Sequence, residues 1–518
     1  MSDNRRYTRL AQGIAAAMLF AAAGLLPVAQ AQDEQLARDW IRPRQSGTLP
    51  AQTEFANPLG KLGIVNAAGP IQLDDHPFFK PLGSNGRACV TCHQPSDSMG
   101  LSVDSIRQQW DVTNGRDPLF SMFDGANCPN LEPTDKASHS LLLNRGLFRI
   151  PLNWPPTAAD GSFIAPEFDI EVIRDPTGCN LDPVYGLEGE ARQISVYRRP
   201  RVVANLKYIA FETGPFNAKR LAMVNDKDPF TGAYMSMNIM SDAREPSLRT
   251  QAISAAFGHL QAASMPSDED LDRIVMFERQ IYAAQSFSVG AGQLEYPGGP
   301  EALGPKSMES HQRGLGDNFT SPLFMDFEVW RQAGNAETPE QQAFRESVAR
   351  GYDVFFLRPF MITDATHINT VGLGNPVKRS CATCHNAILT GTDASAGWVD
   401  VGTTNLPWAR EVPVYPWSDE RHDLPLFKIT CHEEARPHPF LGREIYTQDP
   451  GRALISGRCA DVGSIVMGQF RGLAARAPYF SNGSAASLRD LVDFYDRRFN
   501  IGYTEQEKVD LTNFLSVL

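Results

Sequence analysis

Two copies of one five-residue motif carry the residue types best suited to chemistry in this chain: Cys89-Val90-Thr91-Cys92-His93 and Cys381-Ala382-Thr383-Cys384-His385. A C-x-x-C-H run is the attachment pattern of c-type haem. Each cysteine sulfur forms a thioether to a haem vinyl group, and the adjacent histidine becomes the proximal ligand of the iron. The motifs use four of the eight cysteines. They predict two covalently bound haem c groups, and hence redox chemistry.

Two other chemistries use part of this motif. A C-x-x-C pair can form half of a zinc site, or it can act as a thiol–disulfide motif beside a βαβ unit. Zinc would require two motifs that lie far apart in sequence to meet in space. A thiol–disulfide motif would not need a histidine after the second cysteine in both copies. Haem attachment is therefore the favoured interpretation.

The elements that position these motifs begin after a predicted secretory signal at residues 1–31. Three arginines precede an apolar stretch from Ile14 to Leu26, and Ala29-Gln30-Ala31 supplies a small-residue cleavage site. The apolar stretch is short for a membrane span of about 20 residues, although an uncleaved anchor is the alternative. No later segment is apolar enough to span. These features predict a periplasmic protein, which agrees with haem attachment outside the bacterial cytoplasm.

The remaining four cysteines fit an oxidising compartment. They predict the disulfides Cys128–Cys179 and Cys431–Cys459, because each of these pairs is local and avoids the haem motifs. Each bond would close a loop and reduce the entropy of the unfolded chain. Four cysteines allow three connectivities, so the sequence alone does not decide the pairing.

The charge balance bears on partners. The formal net charge is −12, and it is near −14 without residues 1–31, which carry three Arg and one Asp. Such a balance argues against nucleic acid or an anionic membrane as a partner. It suits docking to a small basic electron carrier, although an acidic soluble surface without a partner explains it equally well.

Local composition indicates where helices and loops lie. Residues 32 to about 86 are rich in Pro and Gly and resemble a loop, and about 110–195 is rich in turn-forming residues. Helices are predicted after Ser247, after Ser267, around 339–356 and after Thr504. In the second of these, apolar residues at helical spacing continue as far as Ile281 and Tyr282.

The C-terminal third resembles the bacterial di-haem cytochrome c peroxidase and MauG superfamily. The residues that carry the resemblance are Phe470-Arg471-Gly472-Leu473, then Ala477-Pro478-Tyr479-Phe480-Ser481-Asn482-Gly483, then Leu491-Val492-Asp493-Phe494-Tyr495. The resemblance implies a mainly α fold with two cytochrome c-type haem domains, at 32–290 and 339–518, joined by a linker at 291–338. The segment 110–195 then reads as a loop-rich insertion in the N-terminal domain. Calcium between the domains is implied by the resemblance only.

A second segment is similar to the same family. Asp242-Ala243-Arg244-Glu245-Pro246-Ser247-Leu248-Arg249-Thr250-Gln251 resembles the family's distal segment beside the N-terminal haem. By that resemblance Gln251 lies at the distal pocket, and Arg244 serves as a salt-bridge or haem propionate partner.

Two distal positions depart from the family pattern. Ser241 stands where the family has a tryptophan between the haems, and Gln261 where the short peroxidases have a glutamate. A glutamine can hydrogen-bond but cannot carry a proton, whereas the imidazole of His259 nearby could do so. On a continuous helix His259 and Gln261 would lie on opposite sides of Gln251, so spacing does not choose between them.

The second axial ligand of the C-terminal haem has two candidates. MauG-type members place a tyrosine where this chain has Tyr495, and the spacing of Leu488, Leu491 and Val492 puts Tyr495 on the apolar face of its helix. A buried packing role for Tyr495 is the alternative. Met467 competes as a ligand, and Ser481 replaces the family's usual histidine.

Three functions are consistent with these residues. The first is a peroxidase in which a small cytochrome c or cupredoxin-type donor reduces the His385 haem, and electrons pass to the His93 haem to reduce hydrogen peroxide. The second is a MauG- or rubber-oxygenase-like enzyme that activates peroxide or dioxygen against an organic or protein substrate. The third is an electron-transfer cytochrome without catalysis. Fold resemblance does not choose among them, because function depends on the site.

Overall fold

The computed structural model describes residues 39–518 except for 159–160, 211–215, 218–221, 224–235, 237, 302, 311–326, 333, 367–374, 386–397 and 406–421. The predicted signal segment lies outside the described residues. Helices make up 31% of the described residues and strands 19%. The expected mainly α fold is therefore wrong, and the chain has a mixed α/β fold. The segments between the predicted helices form small antiparallel sheets, whose short strands give weak periodicity in sequence.

The described helices are mostly short. In chain order they are α1 (Val103–Thr113), α2 (Ser140–Arg145), α3 (Leu248–Gly258), α4 (Asp268–Gln280), α5 (Gly304–Ser310), α6 (Glu328–Arg331), α7 (Pro339–Leu357), α8 (Ala453–Ser456), α9 (Leu488–Phe499) and α10 (Glu505–Ser516). The four predicted helices are confirmed as α3, α4, α7 and α10. None of the helices that the structure describes is long and apolar enough to cross a membrane.

The described strands are two to eight residues long. In chain order they are β1 (Thr48–Leu49), β2 (Gln52–Asn57), β3 (Gly60–Asn66), β4 (Ile71–Gln72), β5 (Phe148–Asn153), β6 (Phe168–Arg174), β7 (Gln193–Arg198), β8 (Phe216–Asn217), β9 (Ala222–Met223), β10 (Ile281–Ser288), β11 (Gly292–Gln293), β12 (Phe360–Ile362), β13 (Val377–Arg379), β14 (Trp398–Val399), β15 (Leu426–Cys431), β16 (Glu444–Thr447) and β17 (Ile465–Val466).

A four-stranded antiparallel sheet in the order β11-β10-β3-β2 supports the N-terminal half. Its central strands pair Ile64 with Ala283, and both residues are buried. Strand β10 begins at Ile281, directly after α4, so the expectation that Ile281 and Tyr282 continue the helix is wrong. A continuous apolar run is compatible with a strand buried on both faces as well as with a helix, and here it forms the strand.

A second sheet, ordered β16-β15-β6, joins the insertion to the C-terminal third. Its strands β6 and β15 pair Ile170 with Ile429, and buried apolar residues of both segments share one core. The predicted disulfides Cys128–Cys179 and Cys431–Cys459 are both confirmed, with Cα–Cα distances of 5.2 Å and 5.8 Å. The segment 110–195 therefore pairs, through β6, with a strand that lies some 250 residues later in the sequence.

The C-terminal helices pack closely on one another. A Cβ added at Gly351 of α7 would lie 2.0 Å from the Asp510 carbonyl oxygen of α10, so the glycine permits this approach. Across the same contact Ser347 donates to the Asp510 carboxylate at 2.6 Å. This pair of helices forms a rigid support for α9, which carries Tyr495.

Candidate functional site

Both C-x-x-C-H motifs open into one cavity of about 400 Å³. Each begins with a single turn of 3₁₀ helix, at Cys89–Thr91 and Cys381–Thr383. These turns place both cysteines and the histidine of each motif on the cavity wall. Residues that are far apart in sequence are thus brought to a single site.

The first motif has its histidine oriented for a metal. The His93 ring Nδ1 lies 3.2 Å from the Met99 carbonyl oxygen, to which it donates when the imidazole is neutral. Burial lowers the pKa of His93 to about 4, so the ring is neutral at pH 7. A hydrogen bond at Nδ1 leaves the Nε2 lone pair available, which is the usual arrangement of a metal-ligating histidine.

The cysteines of the motifs are unsuited to thiolate chemistry. Neither motif forms a disulfide, since Cys89, Cys92, Cys381 and Cys384 are not disulfide-bonded. Burial raises the pKa of Cys92 to about 12 and that of Cys381 to about 11. Zinc binding and thiol–disulfide exchange both need the thiolate, which these surroundings disfavour.

The part of the chain that the structure describes contains no cluster of three or more His, Cys, Asp or Glu side chains arranged to hold a metal ion. The two motifs therefore do not combine into a zinc site there. Calcium stays a prediction from resemblance.

The second motif faces a tyrosine. Tyr495 Oη lies 3.5 Å from His385 Nε2, and the two rings are almost perpendicular, with an interplanar angle of 88°. Tyr495 is on α9, whose cavity face also includes Leu491, Val492 and Phe499. The predicted orientation of Tyr495 toward the interior is thus confirmed. Its phenol points at the histidine nitrogen that a haem iron would bind.

Met467, the competing ligand, lines the same cavity directly after β17. Its backbone carbonyl accepts a hydrogen bond from Arg201 at 3.0 Å. Ser481 also lines the wall, and its carbonyl accepts from the Arg199 backbone N–H at 2.9 Å. Of the two candidate ligands, Tyr495 is the one that faces His385.

Helix α3 supplies the wall beside the first motif. Leu248, Gln251, Ala255 and His259 follow one another at helical spacing and all line the cavity. The Gln251 backbone N–H donates to the Ser247 carbonyl as part of the helix, and Gln251 and His259 both line the cavity. Their distal roles stay predictions.

Gln261 is not part of this wall. Helix α3 ends at Gly258, and Gln261 adopts a left-handed backbone conformation with φ of 53°. Its carbonyl oxygen accepts hydrogen bonds from the backbone and hydroxyl of Ser84. Gln261 therefore lies outside the cavity wall, and its assignment as the counterpart of the peroxidase glutamate, which rests on counting ten residues from Gln251, stays a prediction.

Arg244 is both a salt-bridge partner and a wall residue. Its Nη1 lies 2.9 Å from Asp242 Oδ2, and its side chain lines the cavity. Asp242 is fully buried and also binds Arg198. Burial alone would raise the pKa of Asp242, but the charges of Arg244 and Arg198 hold it far below its ordinary value. Arg244 is thus held in place from behind by an ionised carboxylate.

The cavity wall also carries two half-buried arginines, Arg201 and Arg476, without carboxylate partners among the described residues. Arg201 donates only to the backbone carbonyls of Val466 and Met467, at 2.8 Å and 3.0 Å. Arg476 donates to the Gln469 carbonyl, and its Nε has no partner. Burial lowers the pKa of each guanidinium to about 10. Because buried charges are normally paired, these arginines fit an anionic ligand such as the propionates of haem.

One acidic residue on the wall was not singled out from sequence. Glu278 of α4 is 3% exposed, and its Oε2 has no hydrogen-bond partner. Burial raises the pKa of this carboxyl to about 8. It lies close enough to Cys89 for its charge to affect that thiol. The residue is therefore a neutral acid at pH 7 in the wall of the candidate haem cavity.

Comparison with known proteins gives little guidance. No family model and no curated protein sequence matches this chain. Among solved structures the chain is similar to the hydrazine synthase of Kuenenia stuttgartiensis. That match covers 78% of this chain and 87% of the synthase chain, with 15% sequence identity and a TM-score of 0.28. It is also similar to a MauG-like protein associated with microbial copper homeostasis, covering 63% and 76%, with 15% identity and a TM-score of 0.27. TM-scores this low do not establish a common fold, so function rests on the residues of the cavity.

Proposed function

We propose that this chain is a periplasmic di-haem c-type cytochrome of the peroxidase type. With haem held by each motif, electrons would enter at the group on Cys381 and Cys384 and pass to the group on Cys89 and Cys92, where hydrogen peroxide would be reduced to water. The observation that carries the proposal is the single cavity onto which both C-x-x-C-H motifs open. One shared cavity for both motifs suits electron transfer between two bound groups.

The residues present fit haem in three ways. The four cysteines form no disulfide, and thioether formation requires reduced thiols. The Met99 carbonyl holds Nδ1 of His93, which would leave Nε2 to hold iron, and the Tyr495 hydroxyl lies 3.5 Å from Nε2 of His385. The guanidinium groups of Arg201 and Arg476 in the cavity wall could bind the haem propionates. Haem, when bound, would supply the one-electron redox chemistry that no side chain of this cavity provides.

The side chains around the first motif would handle protons and substrate. Reduction of one hydrogen peroxide molecule to two water molecules consumes two electrons and two protons. The Gln251 amide can hydrogen-bond the substrate, and the His259 imidazole can move a proton between the two oxygen atoms of hydrogen peroxide. The electrons would come from a small cytochrome c or cupredoxin-type donor, and the acidic surface of this chain, with a net charge of −12, suits a basic carrier.

Ligand binding and turnover together test this proposal. We expect the ferric protein to contain one high-spin haem that binds cyanide, and to oxidise a reduced small cytochrome when peroxide is added. If both haems are low-spin and insensitive to peroxide, carbon monoxide and oxygen, the chain is an electron-transfer cytochrome and the proposal is wrong.

A MauG- or rubber-oxygenase-like enzyme is the second candidate. The observation that favours it is the 3.5 Å contact between Tyr495 Oη and His385 Nε2, which suits a tyrosine-ligated haem. A tyrosine ligand stabilises ferric iron and lowers the potential, in contrast to a methionine. A stable oxidised species after peroxide addition, without turnover of a reduced cytochrome, would support this candidate over the first.

Replacement of Tyr495 by phenylalanine tests the ligand. We expect Tyr495→Phe to change the ferric spectrum of the C-terminal haem and to raise its reduction potential, because the oxygen ligand is lost. Tyr503→Phe is the matched control, since it removes a phenol that contacts the Cys381 sulfur at 3.7 Å rather than His385. A Tyr495→Phe spectrum identical to that of the wild type would assign Tyr495 to packing alone.

A further inference from the structure

We propose that Asp124, a residue of the insertion, positions His259 for proton transfer by fixing which ring nitrogen carries the hydrogen. In this role Asp124 is a positioning residue and His259 is the group that meets the substrate. The inference rests on the proposed function, because it assigns a task beside the haem of the first motif. It also gives the insertion a part in the site.

The contact between the two side chains is short and protected. Asp124 Oδ2 lies 2.7 Å from His259 Nδ1. The carboxylate is 1% exposed, whereas the His259 side chain is 34% exposed and lines the cavity. The histidine thus has one nitrogen held by a buried acceptor, and its ring faces the space where substrate would bind.

The carboxylate is itself held from behind by Arg87, which is fully buried. The Arg87 guanidinium donates to the other Asp124 oxygen, and also to the carbonyls of Pro118 and Leu119 at 2.7 Å each. Arg87 stands two residues before Cys89, so a chain of contacts connects the first haem motif, the insertion and the end of α3.

The loop is shaped for this contact. A Cβ at Gly125 would lie 2.4 Å from the Leu119 carbonyl oxygen and 3.0 Å from the Arg87 guanidinium. The Gly125 carbonyl accepts a hydrogen bond from the buried His139 ring at 2.9 Å. Glycine therefore allows the backbone beside Asp124 to close onto Arg87, which keeps the carboxylate in one place.

The charge state follows from these neighbours. Burial would raise the pKa of Asp124, but the charge of Arg87 and the hydrogen bonds from His259 and Arg87 keep it below its ordinary value. An ionised carboxylate only accepts hydrogen bonds. In the neutral imidazole, His259 Nδ1 must therefore carry the hydrogen, and the lone pair is left on Nε2.

A lone pair on Nε2 suits a proton carrier. His259 Nε2 can take a proton from one oxygen of hydrogen peroxide and return it to the other oxygen as the O–O bond breaks. The histidine ends unchanged, and the two electrons come from the donor protein while two protons from solvent complete two water molecules. The opposite tautomer has a hydrogen on Nε2 and cannot begin this transfer.

Asparagine at position 124 should reverse the tautomer. Arg87 can only donate, so the single amide oxygen of the asparagine is expected to face Arg87. The amide NH₂ then faces His259 Nδ1, which must become an acceptor, and the hydrogen moves to Nε2. The shape of the site is kept while the direction of its hydrogen bond is inverted.

Two ligands of the full haem-loaded protein report the tautomer without turnover. Hydrogen cyanide must lose its proton as it binds, whereas fluoride is an anion that a hydrogen on Nε2 can stabilise. In Asp124→Asn we expect cyanide association to slow on the order of 100-fold while fluoride affinity is kept or increased. Asp117→Asn is the matched control, since Asp117 is a buried carboxylate of the same insertion that does not contact His259; its cyanide rate should equal that of the wild type.

Other outcomes would overturn the inference. Cyanide association in Asp124→Asn at the wild-type rate, or parallel losses of cyanide and fluoride binding in both Asp variants, would contradict it. If Asp124→Asn cannot be purified with haem, His259→Gln removes the other member of the same pair. A wild-type rate of cyanide association in His259→Gln would also overturn the inference. A wild-type protein that carries both haems but binds no cyanide would instead contradict the proposed function.

Discussion

Replacement of Arg198 by glutamine should destabilise the protein by about 3–5 kcal/mol at pH 7, because it leaves the buried Asp449 carboxylate without its arginine and removes one of the two arginines that bind Asp242. Arg198 is 2% exposed and binds both oxygens of Asp449, at 2.6 Å and 2.9 Å, as well as Asp242 at 2.5 Å. These contacts join strand β7 to the distal segment and to the C-terminal third. Urea unfolding of the haem-loaded protein, with midpoint and slope compared between variants, measures the loss.

The Arg198 result should also depend on pH. The charges of Arg244 and Arg198 lower the pKa of Asp242 against the effect of burial, so its contribution to stability is present above the unfolded pKa and is lost in strong acid. Arg489→Gln is the matched control, since Arg489 pairs with Glu505 at an exposed site and should cost at most about 1 kcal/mol. Equal losses for the two variants would show that the Arg198 cluster is not a buried network.

The free energy of unfolding should fall by about 3–5 kcal/mol as the pH rises because of Glu278, and replacement of Glu278 by glutamine should remove this pH dependence. Burial raises the pKa of Glu278 to about 8, above the ordinary value of 4.5. Between these two values the folded state holds a proton that the unfolded state has lost. The folded protein therefore loses stability as the pH rises from about 5 to 8, and the glutamine variant should not.

The measurement is the difference in unfolding free energy between wild type and Glu278→Gln at pH 5 and at pH 9. We expect the unfolding free energy of the variant, relative to that of the wild type, to increase by about 3–5 kcal/mol between pH 5 and pH 9. Glu269→Gln on the exposed face of the same helix should show no such gain. A difference that is constant with pH would mean that Glu278 is ionised in the folded protein.

Features encoded by neighbouring residues could be predicted from the sequence. The haem motifs, the capped starts of α3 and α4, and the inward direction of Tyr495 all follow from short spacings. The disulfides were predicted because their cysteines are close in sequence. Such signals survive without knowledge of the fold, because the interacting groups lie within a few turns or one loop of each other.

Contacts between distant segments could not be predicted in this way. Asp124 is 135 residues from His259, and β6 pairs with a strand about 250 residues later. No periodicity marks such partners, so the sheets and the mixed fold were missed. Counting residues from Gln251 did not indicate that Gln261 lies outside the cavity wall, although Gly258 is a residue type that commonly ends helices and α3 ends there.

The most direct test of two covalently bound haems is the intact mass of the purified, exported protein in denaturant. We expect the mass of the chain plus two haem groups, and a Cys89→Ala, Cys92→Ala variant that retains one haem, on the peptide that contains Cys381 and Cys384. A wild-type protein whose mass is that of the bare polypeptide, after expression with functioning haem attachment, would contradict the assignment of both motifs.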